Sequence, residues 1–135
     1  MPVCIYGKLK GGTTQRMNPK SAKAKGRKFQ QEVARGIAET HGLSHGKDRD
    51  VESRGMGQCG TDVRLSERAA RVFPYSVECK CQERLNWWEA INQARDNLLP
   101  NTDWLLVVRR NRENPVVVLD WEVFLELQGK SKSSS

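Results

Sequence analysis

In Phe73-Pro-Tyr-Ser-Val-Glu-Cys-Lys-Cys81, the residues Tyr75, Val77, Cys79 and Cys81 alternate with Ser76, Glu78, Lys80 and Gln82. This period of two predicts a half-buried strand over 73–81 with Glu78 and Lys80 on one face. At roughly 3.3 Å rise per residue their Cα atoms would stand about 6.6 Å apart, close enough to address one phosphate. Upstream, Gly60-Thr-Asp-Val-Arg-Leu65 reads as a shorter strand, with Ser66 to Arg71 as a polar connection. A hairpin centred near Ala70 would set Asp62 opposite Glu78, at the roughly 4.5–5.5 Å of cross-strand neighbours. Two carboxylates so placed would ligate one hard cation, Mg²⁺ or Mn²⁺, which keeps several waters and accepts a phosphate oxygen as a further ligand. Taken singly, an Asp after Gly-Thr is also a turn former, and Glu-x-Lys is also the pattern of a solvated strand face. Their joint placement in an apolar neighbourhood favours chemistry.

The strings Gly60-Thr-Asp62 and Val77-Glu-Cys-Lys80 resemble the motif of the PD-(D/E)xK nuclease superfamily, with Thr-Asp where Pro-Asp is usual. The resemblance covers roughly residues 25–110 and is closest to the small Holliday-junction resolvases, phage-type ones included. It implies an α/β fold with a restriction-endonuclease-like core: a central mixed β-sheet flanked by helices, in the order α-β-β-β-α-β. It also implies a Mg²⁺-dependent endonuclease, with Mn²⁺ as a substitute, that cuts four-way or branched DNA as a homodimer. Asp62, Glu78 and the backbone carbonyl of Cys79 would hold the metal and Lys80 would serve the nucleophile. Glu32 matches the acidic residue that related nucleases place ahead of the core, and would be a further catalytic and metal residue. Gln93 looks like the glutamine several members carry after Glu-x-Lys. In related resolvases a serine and a further acidic residue lie near the long loop, which points to Ser53 and Asp50. A restriction-like or nicking endonuclease and a non-catalytic DNA-binding module are the alternatives.

The chain has 135 residues and a formal net charge of +7. That length is one domain, able to bury about two-thirds of its unfolded surface. Residues 1–28 hold eight Lys or Arg and no acid, leaving 15 basic against 16 acidic residues elsewhere. The net positive charge therefore sits in the N-terminal segment. We read residues 1–24 as a flexible basic arm, 25–128 as the folded domain and 129–135 as a disordered tail. Lys20, Lys23, Lys25, Arg27 and Lys28, with Arg49, Ser53, Arg54 and Gln93, are the candidate DNA contacts, gripping phosphate through counterion release. No signal-peptide apolar region or membrane-spanning stretch is visible, which implies a cytoplasmic protein, in the bacterial host's cytoplasm if phage-encoded. The four cysteines, Cys4, Cys59, Cys79 and Cys81, lack paired zinc spacing and read as reduced thiols, with Cys59 and the Cys79/Cys81 pair as the alternative zinc ligands. His41 and His45 read as exposed loop residues.

The expected order is a helix over 25–40, a polar Gly-rich loop over 42–60, strands over 60–65 and 73–81, a helix over 86–98, strands over 103–110 and 115–119, and a helix over 121–127. In the first helix Phe29, Val33 and Ile37 recur every four residues as a buried stripe, and Glu32 lies about 60° from Phe29 at roughly 100° per residue. Trp104 to Arg109 and Pro115 to Leu119 are nearly continuous apolar runs, expected to be covered on both faces. Trp87 and Trp88 open the helix after Asn86; one is expected in the core and the other outward, against a base or a dimer partner. Arg109, Arg110 and Arg112 would touch phosphate or cap a hairpin. The apolar helix over 121–127 is a candidate dimer surface.

Overall fold

A computed structural model describes residues 18–55 and 60–133. Its elements are α1 (Pro19–His41), β1 (Val51–Ser53), β2 (Val63–Leu65), α2 (Glu67–Val72), β3 (Tyr75–Cys81), α3 (Trp87–Asp96), β4 (Asp103–Arg109), β5 (Val116–Val118) and α4 (Trp121–Ser133). The architecture is mixed α/β, with helices flanking two small sheets. β1 and β2 pair antiparallel, while β3-β4-β5 form a mixed sheet whose first pair is parallel and second antiparallel. Parallel neighbours need a crossover, and α3 supplies it between β3 and β4.

That crossover determines what each face of β3 meets. Val77 and Cys79 share a core with Phe29, Ala34 and Ile37 of α1 and with Val107 of β4. On the opposite face Leu106 and Val108 pack under Ala90, Ile91 and Ala94 of α3. Glu78 and Lys80 share this α3 face, because they pair in register with Leu106 and Val108. The strand is therefore covered on both faces rather than half-buried, and Glu78 is only 4% exposed.

Several sequence expectations are corrected. The first helix begins six residues earlier than expected, since Asn18 accepts the Lys20 N–H at 3.0 Å and Pro19 follows as the first helical residue. Residues 19–24 of the expected arm thus belong to α1, with Asn18 as its cap; residues 1–17 lie outside the described residues. The expected tail is helical through Ser133. The connection after β2 is α2, nucleated by Ser66, whose hydroxyl accepts the Ala69 N–H at 3.1 Å. A short strand, β1, occupies the loop expected to lack structure. β5 is an edge strand with Val116 and Val117 exposed, so its apolar run is not covered on both faces. Trp87 and Trp88 are both exposed, because the smaller Ala90 and Ala94, with Ile91, fill the contact between α3 and the sheet. Among the described residues no helix is long and apolar enough to cross a membrane.

Candidate active site

Asp62 stands where the two sheets meet. Its N–H donates to the Val77 carbonyl at 2.9 Å, and its Oδ2 accepts the Cys79 N–H at 2.7 Å. A carboxylate oxygen thus takes the position that a backbone carbonyl would hold in a continuous ladder. This is why the expected single central sheet is divided, and why Asp62 lies alongside Glu78 without a hairpin. In an extended strand the N–H and C=O of one residue point to the same side, so the Cys79 carbonyl also projects toward Asp62.

The cleft around this pair has a volume of ≈ 600 Å³ and is lined by Asp62, Glu78, Lys80, Gln93, Asn97 and Gln30, among others. Lys80 Nζ donates to Gln93 Oε1 at 2.6 Å and stands 4.0 Å from Glu78 Oε1. Asn97 Nδ2 donates to Glu78 Oε2 at 3.4 Å. Burial, then the charge of Asp62, pushes the Glu78 carboxyl up to about 7. Burial also raises Asp62, although the Cys79 N–H opposes it. Burial raises the Cys79 thiol as well, and this side chain faces the α1 core, so it is a packing group rather than a nucleophile.

Two adjacent carboxylates whose proton affinity is raised chiefly by burial form a site short of positive charge, and this fits a divalent cation. Asp62, Glu78 and the Cys79 carbonyl would hold it, within the one or two carboxylates usual for Mg²⁺. Among the described residues no group of three or more His, Cys, Asp or Glu side chains is placed to hold a metal ion. Cys59 lies outside the described residues.

Glu32 is the residue that the structure moves elsewhere. It accepts from Arg109 Nη1 at 2.6 Å, in a separate groove between α1 and β4-β5. Arg109 also lies over the Phe29 ring at 4.7 Å, which fixes that guanidinium on Glu32's side of the helix. Gln30, on the other flank of Phe29, is a polar α1 side chain that lines the cleft, together with Lys23 about two turns earlier. Asp50 does not line the cleft either. It accepts from Ser66 Oγ at 2.8 Å and from Ser44 Oγ at 3.1 Å, and these hydrogen bonds lower its carboxyl. It ties the loop after α1 to the start of α2. Ser53 pairs with Val63 in β1-β2 and does not line the cleft. Arg54 packs its guanidinium against Gly60, which borders the cleft at φ +97, a backbone conformation that other residues rarely adopt. Arg49 does not line the cleft; its carbonyl accepts from Arg64 at 3.1 Å. Lys20, Lys23, Lys25, Arg27 and Lys28 are all exposed along the first half of α1.

Gln30 and Asn97 are cleft residues that the sequence did not single out. Asn97 follows Gln93 by four residues, a spacing that puts both on one side of a helix and was available as a signal. A search of known protein families, curated proteins and solved structures found no match to this chain.

Proposed function

We propose that the chain is a metal-dependent DNA endonuclease of the PD-(D/E)xK type, with a restriction-endonuclease-like core, and that it resolves branched DNA. One observation carries the reading: Asp62 is fixed on the Cys79 N–H beside buried Glu78, with Lys80 4.0 Å from that carboxylate, in an open cleft. A cation held by Asp62, Glu78 and the Cys79 carbonyl would supply Lewis acidity at the phosphoryl oxygen and lower the pKa of water. Lys80 contributes a charge held by Gln93, positioned to orient the attacking water or to stabilise negative charge developing on the phosphoryl group. Water adds to phosphorus as the P–O3′ bond breaks, giving 5′-phosphate and 3′-hydroxyl ends. Lys23, which lines the same cleft, and the other cations of α1 supply the grip on the backbone.

The test is cleavage of a labelled four-way junction and a matched linear duplex, each with Mg²⁺ and with EDTA. Wild type is compared with Lys80→Ala and Asp62→Asn. Metal-dependent paired nicks confined to the junction, lost in both variants while DNA binding persists, are expected. Equal cutting of linear duplex would leave a general endonuclease, and binding without cleavage would leave a non-catalytic module. Cutting by either variant at the wild-type rate would overturn the site.

A further inference from the structure

Beside the cleft, on the exposed side of α3, lies a second cavity of ≈ 670 Å³ lined by Asn86, Trp88, Glu89, Asn92, Gln93 and Asp96. The two cavities share Gln93, whose Oε1 accepts from Lys80. Trp88 is 69% exposed, so packing within the fold does not account for its indole. Among the described residues no Lys or Arg lines this cavity, and it carries two carboxylates. A phosphate would be repelled there. A flat aromatic group that presents amino donors would be welcome: the indole offers a stacking face, and Glu89, Asp96 and the amides offer acceptors. Trp88 and Gln93 are five residues apart, about 7.5 Å along the helix at roughly 1.5 Å per residue. Successive nucleotides of a strand are about 3.4 Å apart along the axis, so this axial separation corresponds to about two nucleotides.

We propose that this shelf holds an unpaired nucleobase of the DNA substrate, stacked on Trp88, about two nucleotides from the scissile phosphate. The proposal rests on the nuclease reading and adds to it a preference for DNA in which a base is free to leave the helix. A fully paired duplex presents its bases edge-on in the grooves and cannot lay a ring on the indole. A branch point or bulge can.

The test uses two DNAs of equal length, one fully paired and one with a single unpaired 2-aminopurine at the branch. Affinities are measured by anisotropy and stacking by 2-aminopurine fluorescence, for wild type, Trp88→Phe and Trp88→Ala. Wild type is expected to bind the unpaired-base DNA more tightly and to quench the probe. Trp88→Ala is expected to cut that preference roughly ten-fold, within the range of base-aromatic stacking, and Trp88→Phe to keep most of it. Circular dichroism of each variant checks that the fold is intact. An affinity ratio and quenching unchanged in Trp88→Ala would overturn the shelf, while Mg²⁺-dependent cleavage by wild type in the same samples would leave the nuclease reading standing. Probe quenching that depends on Trp88, without cleavage by wild type, would support the shelf and overturn the nuclease. Failure to bind either DNA would overturn both.

Discussion

The Glu78 carboxyl, pushed up to about 7 by burial and by Asp62, makes the site's charge state depend on pH in a range that is easy to reach. The folded chain holds this proton more tightly than the unfolded chain, whose carboxyl titrates near 4.5. The resulting stabilisation is full below about 4.5 and is lost as pH rises through about 7. In EDTA, unfolding by denaturant should therefore show wild type losing up to about 3 kcal/mol between pH 4.5 and 8, and Glu78→Gln losing much less. Mg²⁺ should raise the melting temperature more at pH 8 than at pH 5, because at pH 5 it competes with the proton. A flat profile indifferent to Mg²⁺ would show that the carboxylates do not share a charge-poor site. Glu78 and Lys80 were legible in the sequence because a period of two assigns faces without knowledge of the fold, whereas Asp62 was set beside Glu78 through a hairpin that α2 replaces. The choice between Glu32 and Gln30 was not. Both flank Phe29, and only the position of Arg109 at the end of β4 decides which flank turns to the cleft.

Among the elements, α1 joins the core to the proposed DNA surface. Phe29 is fully buried between helix and sheet and also underlies Arg109. Phe29→Ala should cost about 3–5 kcal/mol in denaturant unfolding, the usual loss for a buried Phe. The first half of α1 is a different surface, with five exposed cations and no acid. If these residues touch phosphate, replacing Lys20 and Lys23 by Ala should weaken binding to all DNAs alike. It should also reduce the slope of log affinity against log salt by up to about 0.9 for each phosphate no longer neutralised. A slope unchanged by both substitutions would place the DNA elsewhere. The stripe of α1 was readable at Phe29, Val33 and Ile37, whereas its start was set by Asn18 and Pro19, a cap and a first-turn proline within a segment whose charge suggested an arm. The short elements β1 and α2 were not legible because three to six residues do not establish a period. What holds them is long-range: Asp50 bonds both Ser44 and Ser66 across the loop.

At the scale of the molecule, the exposed apolar side chains of the described residues are most numerous toward the C-terminus. Trp121, Phe124 and Leu125 of α4 are exposed, as are Val116 and Val117 on the edge strand β5, while Val123 is buried against the body. Contiguous exposed apolar surface marks interaction sites in soluble chains. A resolvase must place two active sites on opposing strands, and a two-fold homodimer does so with a single self-complementary patch. We therefore expect wild type to sediment as a dimer at micromolar concentration. Trp121→Asp with Leu125→Asp should convert it to a folded monomer, since neither side chain is needed by the core. On the four-way junction that monomer should give single nicks where wild type gives paired ones, because each chain still carries Asp62, Glu78 and Lys80 but no longer brings a second set. Paired cutting retained by a sedimentation-verified monomer would detach strand coordination from this surface. A wild type that is monomeric while making paired cuts would remove the homodimer from the mechanism and leave the chemistry of the cleft intact.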